Sequence, residues 1–173
     1  MIMKKIVIAL ILLITIPLVA TSQDSSLQER NKACIRKQLD HINSGDKNAA
    51  ISDWSDSAAN FGHVSKAMLT TAFDDVYTTF PDWRLDLVDM IAEGDYVVAR
   101  VKASGTHLGI GKIPMNGGML IGVKPTKKHF VVDHIHWYKL KDGKIVEHWA
   151  TRDDLEMMRQ LGLLPPVAQP ITK

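Results

Sequence analysis

The segment from Lys127 to Arg152 constrains this chain most, because two runs of alternating side chains, Lys127–Leu140 and Lys144–Arg152, meet at Asp142-Gly143. Asp-Gly between such runs predicts an antiparallel hairpin with a two-residue turn. That turn sets Tyr138 opposite Glu147, His136 opposite Trp149 and His134 opposite Thr151. Asp153 then lies diagonal to His134, so His134, His136, Trp149, Thr151 and Asp153 share one face. The other face receives Ile135 with Ala150, Trp137 with His148 and Asp133 with Arg152, an apolar run bounded by an opposite-charge pair. A three-residue loop at Lys141-Asp142-Gly143 slips the pairing by one and groups His134 and His136 with His148 and Arg152, away from Asp153. Turn preference favours the first arrangement.

Helical patterns precede the strands. Ser26 and Glu29 make a capping box, and Leu27, Cys34, Ile35, Leu39 and Ile42 recur on one face, which predicts a helix over Ser26–His41. A short helix opens at Asp46 and brings Ala49, Ala50 and Trp54 inward. A third spans Ser65 to about Thr79 with Met68, Ala72, Val76 and Phe80 on one stripe, and Pro81 stops it. The period then becomes two: Trp83, Leu85 and Leu87 lead to a Gly94-Asp95 turn, and Val97, Ala99, Val101 and Ala103 return as one face of a second strand. Gly105 to Thr126, rich in glycine, is a long connection that forms an edge hairpin or a lid. A last helix near Asp154–Leu161 ends at Gly162 and Pro165-Pro166. The fold class is α+β: helices on one face of a curved, mostly antiparallel sheet.

With 173 residues, one domain with a true core is the natural outcome. Hydrophobic residues make up 46% and charged ones 23%, which excludes disorder and a polytopic membrane protein. A single cysteine, Cys34, excludes a disulfide scaffold, and on a helix it is a small buried hydrophobe. Lys4 and Lys5 precede the apolar run Ile6–Ala20 and the small residues Ala20-Thr21-Ser22, the order of an export signal. The run is shorter than the roughly 20 residues of a spanning helix, and Pro17 interrupts it. The expected organisation is a signal peptide over 1–22, one domain over 23–164 and a tail over 165–173, with no stable membrane span after cleavage and a secreted or periplasmic product. Removing Lys4 and Lys5 from 21 basic residues leaves 19 against 19 acidic ones, so nucleic acid is not an expected partner.

A helix-covered curved sheet encloses a dry pocket. In it a carboxylate such as Asp153 can exchange a proton with a carbon acid while His136 or His134 polarises a carbonyl. No metal or organic cofactor is needed. Two competing assignments remain: Asp153 caps the last helix unless Asp154 does, and His134, His136 and Asp153 form a metal set, although no helical H-x-x-x-H pair supports one. His107 and His63 lie where they can reach the pocket, and Trp149, Tyr138 and Trp83 complete the expected substrate lining. His41, His129 and His148 are assigned as surface or structural histidines.

The segment from Asp142 through Trp149, then Asp153 and Arg159-Gln160-Leu161-Gly162, resembles the C-terminal signature of the SnoaL-like ester or polyketide cyclases, of the nuclear transport factor 2-like superfamily. Phe80-Pro81-Asp82-Trp83, Glu93-Gly94-Asp95, Gly105-Thr106-His107 and Pro125-Thr126 extend the resemblance over about residues 27 to 164. It implies a cone-shaped α+β barrel with an enclosed pocket, of cystatin-like type, paired as a homodimer through the outer sheet face. By position, the family's acid/base aspartate falls on Asp153, its pocket histidine on His134 or His136, and two further pocket histidines on His107 and His63. The Gly111–Lys124 segment is longer than the usual connection. The implied activity is cofactor-independent closure or proton transfer beside a carbonyl of a small carbonyl or ester substrate. A hydrolase, or an exported module that binds a small apolar molecule without chemistry, stays open on the same scaffold.

Overall fold

The structure is a computed structural model that describes residues 24–113 and 119–165. The expected signal segment, most of the tail and the 114–118 part of the long connection lie outside these residues. The first helix, α1, covers 24–43, and it is followed by α2 (Lys47–Ser52), β1 (Trp54–Asn60), β2 (Val64–Ser65) and α3 (Lys66–Thr79). Then come β3 (Arg84–Glu93), β4 (Tyr96–Thr106), β5 (His129–Lys141), β6 (Lys144–Arg152) and α4 (Asp154–Gln160). The strands form one unclosed six-stranded sheet in the order β2-β1-β6-β5-β4-β3, antiparallel except that β1 runs parallel to β6. No described helix is long and apolar enough to cross a membrane.

The helices bind the sheet by their apolar faces and by a few polar ties. Ile35, Leu39 and Ile42 of α1 are buried with Leu85, Val97, Ala99 and Val101 of the sheet. Asn43 at the end of α1 substitutes for a neighbouring strand: its amide donates to Leu85 O (3.0 Å) and accepts from Leu85 N (2.8 Å). The capping box expected at Ser26 and Glu29 does not form, because α1 already includes residues 24 and 25; Ser26 Oγ accepts from Arg30 and Glu29 pairs with Lys32. Asp46 does cap α2, accepting from Ala49 N at 2.9 Å. In α3 the inward stripe is Leu69, Ala72, Phe73 and Val76, whereas Met68 is exposed. Ala72, Val76 and Phe80 thus lie inward as expected, and the one departure is at the start of the helix, where Leu69 and not Met68 is buried.

The segment Trp54–Ser65, which carries no strand signal in sequence, supplies β1 and β2. Its residues are small and polar, but Trp54, Ala58 and Asn60 alternate inward and are buried. Backbone pairing with β6 outweighs their weak strand propensity.

The motifs at the helix-to-sheet junction interlock. Phe80 ends α3 and packs on Trp83, His107 and Phe130. A Cβ at Gly105 would lie 2.9 Å from Phe80 Cβ, so this glycine is what lets the ring rest against β4. The Asp82 carboxylate takes both Thr106 N and Thr106 Oγ1 at 2.6 Å, and His107 Nδ1 accepts from Thr126 N at 3.3 Å. Phe80–Trp83, Gly105–His107 and Pro125–Thr126 are therefore parts of one structural knot at this end of the sheet.

The β5–β6 hairpin corrects the expected register. The two-residue turn forms as read, with Lys141 opposite Lys144 and positive φ at Asp142 (51°) and Gly143 (71°). Between Leu140↔Ile145 and Lys139↔Glu147, however, β6 holds one residue more, Val146, and beyond this bulge the pairing is displaced by one. His134 consequently faces Arg152, His136 faces Ala150, Tyr138 faces His148 and Trp137 faces Trp149. Asp133 pairs with Arg100 and Lys102 of β4, not with Arg152.

Candidate active site

The inward face of β5 carries Phe130, Val132, His134, His136, Tyr138 and Leu140, all buried. Beneath α3 this face bounds a cavity of about 110 Å³, walled by Ile42, Leu69, Phe73, Val76, Trp83 and Leu85 and by the histidine face of the hairpin. Asn60, Phe61, His134, His136, Tyr138, His148 and Arg152 are also in its wall, and among the described residues none that lines it carries a carboxylate. His134, His136 and His148 are only 3%, 7% and 8% exposed.

Burial decides their charge. Removal of water from His134, with the neighbouring His136 and the Arg152 guanidinium adding to the effect, lowers its pKa to about 3. Burial followed by Arg152 lowers His136 to about 4, and burial with the same neighbours pushes His148 well below the ordinary histidine range. All three rings are neutral near pH 7. Burial also raises the Tyr138 phenol, which stays protonated. Arg152 is the cation of the cavity; its guanidinium pairs with Asp154 at 3.2 Å and stands over the Phe61 ring. Neither ring nitrogen of His134, nor Nε2 of His136, meets a hydrogen-bond partner among the described residues. Neutral imidazoles with unengaged nitrogens in an apolar cavity can exchange protons with a bound carbon acid.

Of the residues singled out in sequence, His134, His136, Tyr138 and Trp83 reach the cavity. Asp153 does not. It is exposed, its backbone N–H ends the sheet by donating to Asp133 O, and its carboxylate caps α4 by accepting from Glu156 N at 3.0 Å. The competing reading of Asp153 as a helix cap is the arrangement observed, and Asp154 turns to Arg152 instead. This also removes the third member of the His134/His136/Asp153 metal set; among the described residues no three His, Cys, Asp or Glu side chains gather as a metal site. Trp149 sits on the opposite face of the sheet, 48% exposed beside Ile135 and Trp137, because the Val146 bulge turned it out. His107 is wholly buried in the junction knot, and His63 is exposed with Nδ1 on Phe61 O.

His148 and Arg152 join His134 and His136 as the less favoured register groups them, against the preferred reading of His148 as structural and Arg152 on the other face, while Asn60, expected in a loop, was not foreseen in the cavity. The signal for the first two was the slipped register itself. For Asn60 only the inward alternation of Trp54, Ala58 and Asn60 was available.

A curved, unclosed six-stranded sheet with helices over a histidine-lined cavity is a nuclear transport factor 2-like architecture. The family model for SnoaL-like polyketide cyclase matches residues 33–161, and the chain belongs to that family. A curated relative, nogalonic acid methyl ester cyclase of Streptomyces nogalater, is 32% identical over 79 residues, 46% of this chain and 52% of the relative. The chain thus spans about half the length of the curated relative it matches. Among solved structures, AclR from Streptomyces galilaeus, assigned as a hydroxylase, shares 26% identity at a TM-score of 0.68, covering 82% of this chain and 87% of its own. IdmH from Streptomyces antibioticus, assigned as a polyketide cyclase, shares 26% identity at 0.62, covering 76% and 98%. One scaffold carries different assigned activities, so the chemistry is argued from the cavity.

Proposed function

We propose that this protein is a cofactor-independent cyclase in which imidazole, not Asp153, is the acid/base. The observation that carries this reading is the cavity itself: three neutral histidines and an arginine face an apolar space in which no described residue places a carboxylate. Nε2 of His136 removes a proton from the carbon beside a carbonyl, and the resulting enolate carbon bonds to a second carbonyl carbon of the same molecule. The proton then passes from the imidazolium to the new alkoxide oxygen, so the step is an isomerisation with no redox partner. Arg152 stabilises the negative oxygen while it exists, and His134 stands beside His136 to hold the substrate carbonyl.

Cavity size limits the substrate. An apolar cavity of about 150 Å³ holds one benzene ring, so about 110 Å³ receives a single small ring or its open-chain precursor. The substrate class proposed is a small enolisable ester or ketone, and a larger polyketide would enter by one end. The reading is tested with a β-keto ester able to close intramolecularly, following product by mass and chromatography. His136→Gln and His134→Gln are each expected to slow closure by about 10²–10⁴-fold. Closure at the original rate in both variants rejects the imidazole mechanism, and binding without any product favours the non-catalytic module.

The same proposal includes export, supported by Lys4-Lys5 and the apolar run Ile6–Ala20, and pairing of two copies through the outer sheet face. Cleavage near Ser22, read by mass of the exported chain, tests the first.

A further inference from the structure

We propose that Asn60 and His148 are positioning residues that hold His136 in a single tautomer, with the lone pair of Nε2 facing the cavity. The inference rests on the reading of His136 as base and names what prepares it. The chain begins at β1. Asn60 Oδ1 lies 2.6 Å from His148 Nδ1 and, as a carbonyl oxygen, can only accept, so Nδ1 of His148 carries the hydrogen. A neutral imidazole has one N–H, which leaves His148 Nε2 as an acceptor. It lies 2.9 Å from His136 Nδ1, which must therefore donate. The single N–H of His136 is then spent on the protein side, and its Nε2, buried and without a partner among the described residues, is left as the unprotonated nitrogen.

The surroundings hold this order in place. Asn60, His148 and His136 are all buried, so water cannot readily replace either bond. Tyr138 stacks on both imidazoles, at 12° to His136 and 30° to His148, while Trp54 and Phe61 meet His148 edge-on. The ring planes are thereby fixed. When Nε2 of His136 accepts the substrate proton, the positive ring still donates from Nδ1 into His148, whose own N–H is held by the Asn60 carbonyl. Turning the Asn60 amide end for end would reverse every bond in the chain: Nδ2 would donate, and His136 would present Nε2–H, a donor to a carbonyl and not a base.

The two directions differ in a spectrum. With ¹⁵N-labelled histidine in the intact protein, near neutral pH and without substrate, His136 Nε2 is expected at a non-protonated imidazole shift and Nδ1 at a protonated one. Asn60→Leu removes the acceptor and is expected to populate Nε2–H on His136. On a cyclising β-keto ester it should lower kcat by at least about tenfold, with KM within about twofold. Asn60→Asp keeps an acceptor oxygen and is expected to retain the tautomer. A protonated Nε2 in the unaltered protein, or a tautomer unmoved in Asn60→Leu, overturns the proposal. If Asn60→Leu does not fold, the spectrum of the unaltered protein decides alone. Unchanged turnover in His136→Gln would instead reject the base assignment while the tautomer measurement stood, so the two failures are separable.

Discussion

A neutral imidazole enclosed by aromatic rings loses the hydration that would stabilise its cation, and His134, His136 and His148 share that condition beside a guanidinium. The folded state binds these protons less readily than the unfolded chain, whose histidines titrate near 6.5. Stability is therefore full above about pH 6.5 and declines as pH falls toward the folded values of about 4 and 3, by up to about 1.4 kcal/mol per pH unit for each group. Urea unfolding between pH 7 and 4 is expected to show this slope, and His136→Gln should flatten it. Asp153 provides the complementary measurement. Asp153→Ala removes the cap of α4 and should cost about 1 kcal/mol, whereas Asp153→Asn, a good cap, should cost little; both should turn over substrate at the unaltered rate. Turnover lost in Asp153→Asn would return the acid/base role to the carboxylate. The residue types of the site were visible in the sequence, His134 and His136 among them. Which carboxylate faced which imidazole was not, because a side chain's face depends on the count of residues between it and the turn.

That count changes at Val146. The Asp142-Gly143 turn was recognisable, since Asp-Gly accepts the two positive φ values a primed turn requires, and β6 itself has the expected bounds. A bulge leaves little mark in a run such as Ile145-Val146-Glu147, where every residue suits a strand on either face. Yet it turns Trp149 outward and brings His148 and Arg152 in. Gly143→Ala should cost about 1 kcal/mol, measured by thermal unfolding, because no neighbour lies within 4 Å of its added Cβ and the penalty is that of φ 71° alone. A cost near zero would mean that the turn relaxes to another type. Strand β1 shows the opposite case. Trp54–Asn60 lacks β-branched residues, and pairing with its neighbours β2 and β6 makes it a strand, the parallel ladder with β6 delivering Asn60 to His148.

At the scale of the molecule, the sheet has two unlike faces. Its covered face forms the cavity, while its outer face shows Val131, Ile135, Trp137 and Trp149, with Tyr96 edge-on to Trp137 at 5.8 Å and Asp133 held between Arg100 and Lys102. An apolar patch rimmed by charge is suited to a second copy of the chain. Sedimentation of the unaltered protein at micromolar concentration should give a dimer and that of Trp137→Glu a monomer; a monomer in both would reject pairing through this face. The α+β class, the helix order and the two hairpin turns could be read along the chain, because periodicity and turn chemistry are local properties, while the likeness to the SnoaL-like cyclases over about residues 27 to 164 lay in its short motifs, and the family model matches 33–161. The partners of His136, the outward turn of Asp153 and the neutrality of the imidazoles came from packing. Each depends on a bulge, a parallel strand or the exclusion of water, and these exist only once distant segments meet.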